Sequence, residues 1–214
     1  PARGTPAGYP AREVRGLELA ELRVQEAARA LAVLGSDTLI RLALPNAPYF
    51  RGFHAREPED VVRDWGDDRV VGRLATIIEK LRPRAVVAPA GPLPVLEHFE
   101  HEATGLLVRR AVQRVRATGV LPDVALFTSR DPRQLDPQPD WQRVDGTVVA
   151  TGSELTYRQL QLLALQQYHT QSDATVFGVE QLAAFGREYY VLAVPGKDSS
   201  VASLLSVAPD GDQR

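Results

Sequence analysis

The sequence has no cysteine and no methionine, and lysine occurs only at Lys80 and Lys197. Without cysteine there is no disulfide, no thiolate metal ligand and no cysteine nucleophile in this chain. Basic charge is carried almost wholly by arginine, which reads as a compositional habit of the source organism. Long apolar runs are missing too: none reaches the roughly 20 residues that cross a bilayer, and no signal peptide is expected among these residues. A cytoplasmic setting is the expectation. A net charge of −2 gives no case for a nucleic-acid partner. G-x-S-x-G, the P-loop and G-x-G-x-x-G are all absent, which removes the support for a serine-hydrolase elbow or a nucleotide cradle. With Pro1 first and methionine nowhere, the expectation is a chain that starts downstream of its gene's start.

What is present describes an ordinary globular protein. With 214 residues, 44% of them hydrophobic and 24% charged, one domain over residues 1–196 with a small polar tail at 197–214 is expected. Such a chain buries roughly 70% of its unfolded surface and needs no staples. Apolar residues at helical spacing (Val14, Leu17, Val24, Ala28, Leu31, Leu34) predict a helix from Glu13 to Leu34 that Gly35 stops. Leu39 to Leu44 reads as a strand. Pro58, Glu59 and Asp60 suit a helix start, and the pattern runs on to Leu81 with a break near Gly66. Ala85 to Ala88 and Val124 to Thr128 read as strands buried on both faces. Between them a helix is expected from about Glu102 to Thr118. Thr156-x-x-Gln159 is a capping box that opens a helix to Tyr168. A short helix near 179–185 and a strand at Tyr189–Val194 follow.

Strands alternating with helices imply an α/β fold: a Rossmann-like, mostly parallel sheet with helices on both faces. Such sheets bind ligands beyond the carboxyl ends of their strands. The segment after Ala88 carries His98-x-x-His101, the sharpest feature of the chain. Near a helix start, residues three apart point the same way, so both imidazoles can face one cleft. Neutral imidazole is a common zinc ligand, and Glu97, Glu100 and Glu102 stand ready to fix its tautomer. The alternative is a pair of solvated histidines in an acidic stretch. Of the other histidines, His54 reads as an exposed loop residue and His169 as a helix-end residue with a capping or packed role. Asp64, Asp67 and Asp68 around Trp65 read as a solvated turn.

Taken together, several segments resemble the LmbE/PIG-L family of de-N-acetylases. His98-Phe99-Glu100-His101-Glu102-Ala103-Thr104-Gly105 is similar to the family's H-P-D-H motif with its small-residue helix. Leu81-Arg82-Pro83 precedes it as in the family's L-R-P-D-V-V. Glu21-Leu22-Arg23-x-x-Glu26-Ala27-Ala28 with Leu34-Gly35 resembles the R-x-x-E helix, and Leu44-Pro45 the L-P-D turn. Tyr168-His169-Thr170-Gln171 is similar to H-x-S-Q, behind Val144-Asp145, and Arg187-Glu188-Tyr189-Tyr190 looks like the closing E-x-F. The resemblance runs from about residue 10 to 195. Phe99 and Glu100 replace Pro and Asp, which keeps the carboxylate and lengthens it. The hallmark H-P-D-D-E loop has no match. It is expected upstream of Pro1, in a strand–helix–strand unit that the small sheet also lacks.

The resemblance implies a zinc-dependent hydrolase that removes an N-acetyl group from an N-acetylglucosamine-containing small molecule or glycoconjugate. It gives His101 the role of a zinc ligand. His98, steadied by Glu100, would stabilise the oxyanion or protonate the leaving amine. Arg23 and His169 would contact substrate, with a surface salt bridge to Glu26 as the plainer reading of Arg23. A His/Asp/His site also accepts other divalent ions. Two rivals stand: a non-catalytic member that has lost its metal, and a different metallohydrolase built on His98 and His101. The oligomeric state is open, a homo-oligomer included.

Overall fold

The computed structural model describes residues 16–36, 38–45, 57–91, 99–130, 138–171, 187–197, 200, 201 and 204. Its contacts gather into two units: Pro1–Ala43 with Asp145–Arg187, and Leu44–Val144 with Glu188–Arg214. The expected helix near 179–185 lies outside the described residues, as do His54 and His98.

In the first unit, helix α1 spans Gly16–Val33. It stops where Gly35 takes a left-handed φ of 77°. The Gly35 N–H then donates to Ala32 O (3.1 Å) and the Ser36 N–H to Leu31 O (2.9 Å), so two carbonyls left over at the helix end are satisfied. The buried face differs from the expected one. Leu17 is 85% exposed and Leu34 is exposed, while Leu19, Glu26 and Ala30 are buried. With Arg23 these lie four, three and four residues apart, one stripe of a helix that carries two charged groups inward. Periodicity counted apolar residues only and so picked the wrong face.

Helix α5 spans Tyr157–Leu165, shorter than expected, and opens on its predicted capping box. The Gln159 N–H donates to Thr156 Oγ1 (3.2 Å), and the Thr156 N–H to Gln159 Oε1 (2.8 Å). A single 3-10 turn, His169–Gln171, follows, and α1 packs against both α5 and this turn. Residues 38–43, expected as part of a strand, are irregular, with Leu39 and Ile40 exposed. Apolar, β-prone composition does not make a ladder without a strand to pair with.

The second unit holds the sheet. Helices α2 (Pro58–Trp65) and α3 (Asp67–Leu81) are separated at Gly66, whose φ of 82° ends one helix and begins the next. Trp65 is buried, and its Nε1–H donates to Pro45 O at 2.8 Å. Helix α4 spans Phe99–Ala117, and α2 and α3 pack on it. Its inner stripe is Ala103, Leu107, Ala111 and Val115, four residues apart and each at most 1% exposed.

Strands β1 (Ala85–Ala88), β2 (Ala125–Arg130), β3 (Gln142–Asp145) and β4 (Arg187–Val194) form one sheet in the order β1-β2-β4-β3. β1 and β2 are parallel, from Ala85 opposite Ala125 to Ala88 opposite Thr128. β4 runs antiparallel to β2. The α/β fold is as expected, and the sheet is mixed. β2 is central and reads as a buried run, with Leu126 and Phe127 fully covered. Phe127 packs with Ala125 and Val201, flanked by Leu192 and Leu204. β1 is the edge among the described strands, so Val87 is 58% exposed, not buried on both faces as its four apolar residues suggested. No helix among the described residues is long and apolar enough to cross a membrane.

Candidate functional site

In the second unit, the chain leaves β1 through Pro89 and Ala90 and returns as α4. The two segments touch backbone to backbone. A Cβ added at Gly105 would lie 2.6 Å from both Pro89 O and Ala90 O. Only glycine lets α4 seat this closely against the end of β1. Ala103, in the same turn of α4, is fully buried. The close seat at Gly105 thus holds the first turn of α4, with Glu100 and His101, beside the carboxyl end of a parallel strand, where α/β sheets place their ligands. The helix starts at Phe99, earlier than expected, so Glu100 and His101 stand in its first turn and not in a loop. Acids at Glu100 and Glu102 complement the positive end of the helix dipole. Glu102 is buried and His101 is exposed. The Thr104 hydroxyl donates to Glu100 O at 2.7 Å, which tightens that turn.

In the first unit, the charged stripe of α1 meets the 3-10 turn. Glu26 is 2% exposed and Thr170 3%. Glu26 Oε1 accepts the Thr170 backbone N–H at 2.8 Å, and Oε2 accepts the Thr170 hydroxyl at 2.6 Å. A buried carboxylate is costly unless its oxygens are satisfied; here both are, by one residue 144 positions away. The phenol of the neighbouring Tyr168 is pushed above its ordinary range, first by burial and then by the charge of Glu26. Arg23, one turn before Glu26, has its Nε buried with no hydrogen-bond partner. Glu26 is therefore no surface partner of Arg23, contrary to the plainer reading. His169 is exposed at the head of the turn that Glu26 grips.

The predicted site residues thus fall in two places. Arg23 and His169 belong to packed elements of the first unit; Glu100 and His101 share one helical turn of the second. His98 lies outside the described residues. Sequence reasoning passed over Glu26 and Thr170 as functional groups. The available signal was the four-three-four spacing of Leu19, Arg23, Glu26 and Ala30. The described donors alone do not complete a site for zinc, which the family resemblance implies. Three protein ligands are the usual minimum for a catalytic zinc, and among the described residues no group of three or more His, Cys, Asp or Glu is placed to hold an ion.

Residues 2–112 match the family model described as PIG-L, GlcNAc-PI de-N-acetylase. The match takes in Arg23, Glu26, Glu100 and His101. Among solved structures, the chain is similar to GalB, the 4-carboxy-2-hydroxymuconate hydratase from Pseudomonas putida KT2440. That likeness has a TM-score of 0.56 and 16% identity over 88% of this chain and 78% of the other. It is also similar to a conserved protein from Thermus thermophilus, with a TM-score of 0.49 and 18% identity over 82% and 74%. No match was found among curated proteins. At these identities the first structural likeness speaks for the fold alone.

Proposed function

This chain belongs to the PIG-L, or GlcNAc-PI de-N-acetylase, family, and on that footing we propose that it hydrolyses the N-acetyl group of an N-acetylglucosamine-containing small molecule or glycoconjugate. Membership points to a hydrolytic enzyme; the substrate and the metal are the proposal's own. GalB is a hydratase, so the shared fold leaves the reaction open. What favours amide hydrolysis is the family match across the first turn of α4.

In the reaction, the amide C–N bond breaks. A water oxygen joins the acetyl carbon to give acetate, and a proton passes to the sugar nitrogen. An amine leaves readily only when protonated, so an acid must stand beside it. His98 supplies that proton, with the Glu100 carboxylate orienting its ring. Arg23 and His169, both of the first unit, are kept as proposed substrate contacts on the family resemblance, a guanidinium and an imidazole being suited to a sugar's oxygens. Zinc, or another divalent ion, belongs to the proposal through His101, and its remaining ligands come from outside the described residues.

A second reading is a non-catalytic member of the family that has lost its metal. One experiment separates the two. The complete protein is supplied with Zn2+ and given GlcNAc-phosphatidylinositol and soluble N-acetylglucosamine conjugates. Free amine and acetate are then measured for the wild type, His101→Ala and Glu100→Gln. The enzyme reading expects equimolar amine and acetate, with zinc and activity lost together in His101→Ala. Equal turnover and equal zinc content without the His101 imidazole would discard it.

A further inference from the structure

A buried carboxylate that spends both oxygens on one threonine does more than satisfy itself. The bond from Glu26 Oε1 to the Thr170 N–H, at 2.8 Å, fixes the peptide plane between His169 and Thr170. The bond from Oε2 to the Thr170 hydroxyl, at 2.6 Å, fixes that residue's side-chain rotamer. The direction in which His169 leaves the backbone is therefore set from α1. Arg23 stands on α1 three residues before Glu26, so the two share one face of the helix. Its Nε is buried without a hydrogen-bond partner.

We propose that Glu26 and Thr170 are positioning residues: the bidentate contact holds His169 in register with Arg23, so that the two present donors to one ligand. The ligand follows from the donors. A guanidinium and an imidazole suit a polyhydroxylated or anionic group, such as the hydroxyls of an amino sugar. This deepens the functional reading above and rests on its assignment of Arg23 and His169 to the substrate. The carboxylate itself makes no contact with the ligand, because it is only 2% exposed and both its oxygens are engaged. The device needs a hydroxyl at position 170 and a carboxylate at 26, whatever else changes on the surface around them.

Three substitutions test it. Thr170→Val removes the hydroxyl and keeps the shape. Thr170→Ser keeps the hydroxyl and loses a methyl group. Glu26→Gln keeps the shape and removes the charge, and carries the test should Thr170→Val fail to fold. Two readouts are taken. One is the His169 ring resonance in 13C-histidine-labelled protein, assigned by loss in His169→Asn. The other is the split of KM against kcat on the N-acetylglucosamine conjugate. The expected result is a moved His169 resonance and a KM raised on the order of tenfold in Thr170→Val and Glu26→Gln. Thr170→Ser should restore both to wild type. Movement of the His169 resonance without any kinetic change would sink the substrate role of His169 and leave the clamp standing. An unmoved His169 resonance in folded Thr170→Val, or Thr170→Ser failing as badly as Thr170→Val, would overturn the clamp.

Discussion

Adding one methyl group at Gly105 probes the contact that seats α4 against the end of β1. The new Cβ would lie 2.6 Å from two backbone oxygens and 2.7 Å from the Ala90 carbonyl carbon, where ordinary contact begins at 3.4 Å. To open that gap, helix and loop must part by roughly 0.8 Å, and neither is a side chain that can swing aside. Overpacking of this kind costs typically 1–3 kcal/mol. Exchanging glycine for alanine inside a helix returns about 1 kcal/mol of propensity. Gly72, midway along α3, makes the control. A Cβ there would meet nothing nearer than Arg114 Nη1 at 3.9 Å. Gly72→Ala should therefore stabilise by up to about 1 kcal/mol, whereas Gly105→Ala should destabilise by up to about 2 kcal/mol net. For a chain of this size the two melting temperatures should part by at least roughly 2 °C. Urea unfolding followed by circular dichroism measures both. Equal stability of the two variants, or a Gly105→Ala protein firmer than wild type, refutes the close approach. Because Glu100 and His101 ride on the same helix, Gly105→Ala should also lower any turnover the protein shows.

Thr156→Ala removes the hydroxyl that accepts the Gln159 N–H and should cost about 1 kcal/mol; an unchanged unfolding midpoint would remove the capping box from the account. Tyr168 gives a pH dependence. Its folded pKa is raised above 10.0 by burial and by the charge of Glu26, so its contribution is complete below the unfolded value and lost as pH rises through the folded one. Wild type should lose more stability than Tyr168→Phe between about pH 8 and about pH 11. Tyr190 is pushed the same way by burial and by Glu188, but it is present in both proteins and cancels. Identical losses in the two would show that Tyr168 does not titrate as its surroundings require.

Signals that act within one turn of chain were legible in the sequence. Gly35 ends α1, Gly66 divides α2 from α3, and Thr156 with Gln159 opens α5, because each satisfies helix-end groups with chemistry three or four residues away. The buried run of β2 and the small residues at Ala103 and Gly105 were equally plain, as was the family resemblance they helped carry. Tertiary structure alone decided which face of α1 is covered, since an inward Glu26 makes sense only beside Thr170, 144 residues on. It alone decided that Val87 is exposed, that β4 runs against β2, and that residues 38–45 form no strand. A strand's burial and direction are properties of its neighbours, and a buried charge is a property of its partner. Neither can be read from residues whose partners lie a hundred positions away.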